Sequence, residues 1–194
     1  MTARVRAAEL VVLGTSAGGL RALELVLRSL PGDFPVPIVA VQHRAKESTE
    51  AYADVVGAGA ALPVREVEDG ERLEPKCVYL APPDYHVLVE PGRLVLSIDD
   101  AVSFSRPSID VLFESAADAY GDGVLGVLLT GANADGARGL LRIEQVGGSA
   151  IVQDPRTAES PEMPAAGIAL VPTSRVLALG EIPAELLRRT RPVG

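Results

Sequence analysis

An apolar run that stops abruptly in glycines constrains this chain more than any other stretch. Val11-Val12-Leu13 leads into Gly14-Thr15-Ser16-Ala17-Gly18-Gly19, and Leu20, Leu23, Leu27 and Leu30 then recur on one helical face. The pattern predicts strand, tight turn, helix. Ser16 falls between the C-terminal edge of the strand and the N-terminus of the helix. Backbone N–H groups there are unpaired, and the helix dipole favours negative charge. Such a place suits a nucleophile whose attack creates an oxyanion. Gly14-Thr15-Ser16-Ala17-Gly18 also fits the G-x-S-x-G pattern of strained serine turns. The same residues equally describe a glycine-rich turn whose Ser16 only caps the helix, and this stretch alone leaves both open.

The rest of the chain repeats the alternation. Ile38-Val39-Ala40-Val41 reads as a second buried strand ending in Gln42-His43, and Ser48 to Val56 as a helix stopped by Gly57 and Gly59. Pro63 to Val67 reads as a short strand. Cys77 to Ala81, His86 to Glu90 and Arg93 to Ile98 are β-rich, and Pro91-Gly92 marks a hairpin between the last two. Ser108 is placed to cap a helix over Ile109 to Tyr120, with Asp110 in its first turn. Val124 to Thr130 is nearly all apolar, the mark of a central parallel strand. It runs into the loop Gly131-Ala132-Asn133-Ala134-Asp135-Gly136. A helix from Ala137 to Val146, a strand at Ala150 to Gln153, a short helix at Pro161 to Pro164 and an amphipathic segment around Leu186-Leu187 complete the series. The fold class predicted is α/β. It is a doubly wound, mostly parallel sheet with helices on both faces and a small antiparallel hairpin region around residues 77–98.

The chain has 194 residues, enough for one α/β domain, and a single catalytic domain over residues 1–194 is expected. The net charge of −8, with lysine and arginine scattered, argues against nucleic acid or an anionic membrane as partner. The lone Cys77 sits in an apolar run, permits no internal disulfide and fits a reducing cytosol. No signal peptide is visible and no run is long enough for a bilayer span, so a cytoplasmic location without membrane insertion is expected.

Open α/β sheets bind ligands beyond the carboxyl ends of their strands. At such ends this sequence carries Ser16, His43 and Asp135, the parts of a hydrolytic triad. Serine is a poor nucleophile until a base takes its proton. Histidine, with an unperturbed pKa of about 6.5, suits that task. A buried carboxylate orients the ring and stabilises its cation. Taken singly, His43 reads as a structural strand-end group, and Asp135, before a glycine and a helix, as a cap. Their joint placement favours catalysis. His86 is the competing base, for which a structural or rim role is favoured.

These residues resemble, in order over nearly the whole chain, the catalytic domain of CheB-type chemotaxis receptor protein-glutamate methylesterases. Gly14 to Gly19 is similar to the family's serine motif, Gln42-His43 to its histidine motif, and Leu129 to Gly136 to its aspartate loop. Glu68-Asp69-Gly70-Glu71, Val78 to Pro82 and Met163-Pro164 resemble further motifs. Arg106-Pro107-Ser108-Ile109-Asp110-Val111-Leu112-Phe113 is the most distinctive block. Ala17 and Ala132 stand where some members have threonine and methionine.

The resemblance implies Ser16 as nucleophile, His43 as base and Asp135 as acid. The implied substrates are glutamate methyl esters on the cytoplasmic helices of methyl-accepting chemotaxis receptors, with glutamine deamidation as a second activity. No cofactor and no metal are expected, since acyl-enzyme hydrolysis needs neither and no Cys/His cluster offers a metal site. Family members commonly carry an N-terminal receiver domain. Such a domain needs on the order of 100 residues, and the first strand here starts near Glu9, so no internal phosphoacceptor switch is expected. An ordinary α/β-hydrolase is rejected because its histidine comes last, whereas none follows His86 here. A dinucleotide-binding domain is rejected for want of G-x-G-x-x-G and of an acidic residue after the second strand. A non-catalytic module that keeps the fold and binds receptors remains the alternative.

Overall fold

The structure, a computed structural model, describes residues 7–44 and 51–191. The main sheet has strand order β3-β4-β2-β1-β7-β8-β9. Its strands are β1 (Leu10–Thr15), β2 (Ile38–Gln42), β3 (Val64–Glu66), β4 (Val78–Leu80), β7 (Val124–Leu128), β8 (Ser149–Gln153) and β9 (Arg175–Leu177). Each neighbouring pair is parallel. Every residue of β1 and β7 is buried, as expected of central strands covered on both faces.

Side chains alternate along each strand, so the sheet divides two cores. Val12, Val39 and Tyr79 join Ile109, Phe113 and Leu140 on one face. That face carries α3 (Ile109–Tyr120), α4 (Ala137–Gln145) and α5 (Glu162–Leu170). Val11, Leu13 and Ile38 join Leu23, Leu27 and Leu186 on the other. There lie α1 (Gly19–Arg28), α2 (Tyr52–Gly57) and α6 (Ile182–Thr190).

The antiparallel region is narrower than the β-rich composition of 77–98 suggests. Only β5 (His86–Glu90) and β6 (Arg93–Ser97) pair as a hairpin, while β4 inserts into the parallel sheet between β3 and β2. All three residues of β4 are buried, which a parallel position between two strands demands and a sheet rim does not. The short helix expected near Pro161 is the nine-residue α5, and the strand β9 has only three residues, two of them exposed, too few to give an apolar signal. The expected helix from Ser48 begins outside the described residues; α2 occupies its later part.

Two glycines let α3 settle onto the sheet. A Cβ at Gly14 in β1 would lie 2.2 Å from Ile109 Cγ2, and one at Gly136 would lie 2.5 Å from the same atom. Gly136 also has φ +93°, a conformation L side chains rarely adopt. The first turn of α3 therefore rests directly on β1 and on the start of α4.

Candidate active site

The parallel order changes direction at β1, with β2 on one side and β7 on the other. A crevice beyond the strand ends at such a switch is where open α/β sheets hold ligands. Ser16 follows β1, His43 follows β2, and Asp135 lies in the loop between β7 and α4. Thr15 and Gln42 are register partners, and the His43 N–H donates to the Thr15 carbonyl at 3.0 Å. Ser16 and His43 are thus the residues that directly follow the last paired positions of two adjacent strands.

The turn at Ser16 is built from hydrogen bonds that, among the described residues, do not engage its hydroxyl. Its N–H donates to the Thr130 carbonyl at 2.9 Å, and its carbonyl accepts from Gln42 Nε2 at 2.7 Å. Thr15 Oγ1 donates to the Thr130 carbonyl, Thr130 Oγ1 to the Ala17 carbonyl, and Gln153 Oε1 accepts from the Thr130 N–H. These side chains lace together the ends of β1, β2, β7 and β8. The N-cap of α1 is Gly18, with φ 77° and no side-chain cap bond. Ser16 is thus not the helix cap that its position also allowed.

The structure brings His43 and Asp135 into contact. His43 Nε2 lies 2.7 Å from Asp135 Oδ2, with side chains 12% and 0% exposed. Asp135 also accepts from the Ile109 N–H at 2.7 Å, the Asp110 N–H at 3.1 Å and Ser108 Oγ at 2.9 Å. Burial pushes this carboxyl up, but the His43 bond and the two backbone donors outweigh it and hold it below its ordinary value. An ionised carboxylate only accepts, so in the neutral ring the proton sits on Nε2 and Nδ1 keeps its lone pair. Among the described residues, Ser16 Oγ makes no hydrogen bond to the ring. Serine–base contacts are often loose until substrate arrives.

The structure adds residues that sequence reading placed elsewhere. Ser108 does approach the Val111 N–H as helix cap, but its hydroxyl proton goes to Asp135. Asp110 turns from its own helix and accepts from the Gly136 and Gly139 N–H groups at 2.9 and 2.7 Å. Burial first, then the neighbouring Asp135 charge, push its carboxyl up, against the pull of the Gly139 N–H. Asn133 accepts the Asp135 N–H through Oδ1 at 3.1 Å, and its Nδ2 lies 3.5 Å from His43 Nδ1. The one local clue to these three was their place in the first turns and loops of helices.

His86 takes the structural role favoured for it. Its Nδ1 accepts from the Ser108 N–H and its Nε2 faces the Asp100 carbonyl, both at 3.1 Å, so neither nitrogen is free for a substrate. A cavity of about 440 Å³ opens beside His43, lined also by Arg44, Asp84, Asp100, Phe104 and Arg106. Arg106 is anchored to Asp84 at 2.7 Å and to the Ile98 and Asp99 carbonyls, which stiffens that wall. Among the described residues no cluster of His, Cys, Asp or Glu has the makings of a metal site.

Comparison with known proteins places this geometry in context. A family profile described as CheB methylesterase matches residues 11–186. A Leptospira interrogans protein, provisionally named protein-glutamate methylesterase/protein-glutamine glutaminase, is 45% identical over 93% of this chain and 94% of its own. An Anaeromyxobacter dehalogenans protein-glutamate methylesterase/protein-glutamine glutaminase is 43% identical over 97% of this chain, which spans 55% of that protein. The crystal structure of the Thermotoga maritima CheB methylesterase catalytic domain superposes with a TM-score of 0.88 at 34% identity, covering 93% of this chain and 98% of that one. The profile match over most of the sequence, the relatives aligned along nearly its full length and the shared architecture agree: this chain belongs to the CheB methylesterase family.

Proposed function

We propose that the chain is a protein-glutamate methylesterase catalytic domain in which Ser16, His43 and Asp135 form a hydrolytic triad. The observation that carries this is the 2.7 Å contact from His43 Nε2 to the buried Asp135, beside Ser16 at the switch crevice. The nitrogens exchange roles relative to the serine-protease template, in which the acid binds Nδ1 and Nε2 is the base. Here Asp135 occupies Nε2, and Nδ1 is the nitrogen left to act as base.

Ser16 Oγ attacks the ester carbonyl carbon while His43 Nδ1 takes its proton. The Ser16 and Gly131 N–H groups are already bonded to Thr130 and Ser160 carbonyls. Among the described residues the amides of Ala17, Gly18, Ala132 and Asn133 are not so engaged. They are the donors left for the oxyanion, and those of Ala17 and Gly18 lead into α1, where the dipole adds to them. The intermediate collapses as Nδ1 returns its proton to the methoxy oxygen, and methanol leaves. Water, deprotonated by the same nitrogen, releases glutamate. A glutamine amide follows the same course with ammonia as leaving group, the second activity in the relatives' names.

The substrates proposed are methylated glutamates on the cytoplasm-facing helices of chemoreceptors, approached from the aqueous side. Among the described residues no helix is long and apolar enough to cross a membrane. The test is methanol release from a methylated receptor fragment and from a small methyl ester. Ser16→Ala should reduce both to background with the melting temperature unchanged, because its hydroxyl bonds nothing in the ring. Full turnover by folded Ser16→Ala would assign the attack to another group.

A further inference from the structure

Asn133 sits where a second donor meets the proposed base. Its amide orientation is fixed from behind: the Asp135 N–H, at 3.1 Å, requires an acceptor, so that end is Oδ1. The Nδ2 end must then face His43 Nδ1, 3.5 Å away. Asp135 occupies Nε2 at 2.7 Å, so Nδ1 is the one ring nitrogen that can take a proton from Ser16. A distance of 3.5 Å is at the long limit of a hydrogen bond, weak enough for a serine hydroxyl to displace.

We propose that Asn133 is a positioning residue for the His43 base, its side-chain N–H favouring a lone pair at Nδ1 and opposing a proton there. This rests on the triad assigned above. Before attack, the amide holds the ring in the form that can accept. During attack the Ser16 O–H bond breaks, the Oγ–C bond forms, and the proton moves to Nδ1. That N–H now faces another N–H donor, which cannot accept from it. The proton is therefore directed away from Asn133, to the methoxy oxygen as the C–O bond of the ester breaks. The Asx turn to Asp135 accounts for Oδ1 alone; it does not require an N–H on the other side.

Other charged groups lie around the site. Asp135 bonds it, with Asp110 behind. Arg44 follows it in sequence and pairs with Glu66. Asp84, Asp100 and Arg106 line the cavity wall, and Glu159 packs near Gly18. None is altered by substitution at 133.

The test compares Asn133→Ser, Asn133→Ala and Asn133→Asp in the full chain. The readouts are the acid limb of kcat/KM on a small methyl ester, the NMR titration of the His43 ring, and the melting temperature. Asn133→Ser keeps an acceptor for the Asp135 N–H, as in an ST turn, but removes the amide N–H that reaches Nδ1. Asn133→Asp keeps the acceptor and reverses the donor. The proposal expects the acid limb to move to higher pH by about 0.5 unit in Asn133→Ser and Asn133→Ala. Asn133→Asp should move it by about 1 unit or more. A purely turn-forming residue would instead leave Asn133→Ser at the wild-type limb and lower only the stability of Asn133→Ala, while the carboxylate of Asn133→Asp moves the limb in either case and calibrates the size of a charge effect at this position. Coincident limbs for wild type and Asn133→Ser overturn the proposal. If wild type shows no ester hydrolysis, the esterase reading fails instead. The ring titration then still decides whether residue 133 opposes a proton at Nδ1.

Discussion

Asp135 and Asp110 are both buried carboxylates, both set against helix N-termini, and their affinities for a proton move in opposite directions. Each serves the other's helix. Asp135 collects the N–H groups that open α3, and Asp110 collects those of Gly136 and Gly139 at the start of α4. Burial raises both. The difference lies in the donors: Asp135 has the His43 ring and Ser108 hydroxyl in addition to two backbone N–H groups, whereas both bonds to Asp110 converge on Oδ1. Asp110 also lies close to a carboxylate that is already ionised. The fold places the better hydrogen-bonded charge at the imidazole and leaves the cost of proximity on the partner.

The comparison can be broken most sharply at Asp135. Asp135→Asn should lower kcat by about 10⁴-fold, as loss of the orienting acid does in serine-protease triads, while Asp110→Asn, which keeps an acceptor for both N–H groups, should stay within tenfold of wild type. Ester turnover measured on both folded variants checks this. Comparable losses would mean that the two aspartates are one catalytic unit.

A second variant attacks the packing that brings the pair together. Gly14→Ala puts a Cβ into Ile109 and should destabilise by about 1–3 kcal/mol, displacing the α3 turn whose N–H groups hold Asp135. The double variant with Ile109→Ala should recover activity relative to Gly14→Ala alone, even though it has a smaller core. No recovery would show that the close approach does not set the position of Asp135.

Removing a single donor sharpens the contrast further. Ser108→Ala leaves Asp135 with its other three bonds, and a net loss of about 1 kcal/mol, a few-fold in kcat, is expected. Thermal melts and initial rates on the one variant measure both terms.

The smallest effect is the pH dependence of stability, and its sign differs between the two groups. Asp135 is depressed in the folded state, so its contribution is present above the unfolded value and lost as pH falls through the folded one. Asp110 is raised, so its contribution is complete below the unfolded value and lost as pH rises through the folded one. Urea denaturation across the acid range should show the wild-type advantage over Asp135→Asn growing with pH. The difference from Asp110→Asn should shrink over the same range. Parallel slopes would show that the two carboxylates share one environment.

The sheet and the residues at its strand ends were legible because both are written in local patterns. Buried parallel strands are continuous apolar runs; Ser16 and His43 follow such runs directly, and Asp135 lies in the loop after a third. What could not be read depends on distant partners. Ser108 and Asp110 look like ordinary first-turn residues of α3. That they serve Asp135 and α4 depends on contacts across 25 to 29 residues. The same holds for Asn133 and His43, and for which imidazole nitrogen meets the acid. β4 was grouped with its hairpin neighbours because composition reports β preference but not the sheet a strand enters.

The crossed carboxylates also bear on how the molecule comes together. Neither helix start can be completed alone, because the groups that neutralise it arrive with the other helix. A half-docked state would hold a desolvated charge opposite vacant amides, and buried polar groups left unmatched are expensive. Segments 108–110 and 135–139 should therefore open and close as one cooperative unit. The acid that orients His43 belongs to that unit, so a molecule with an intact sheet but an undocked α3 would lack the acid–imidazole pair entirely rather than hold it loosely.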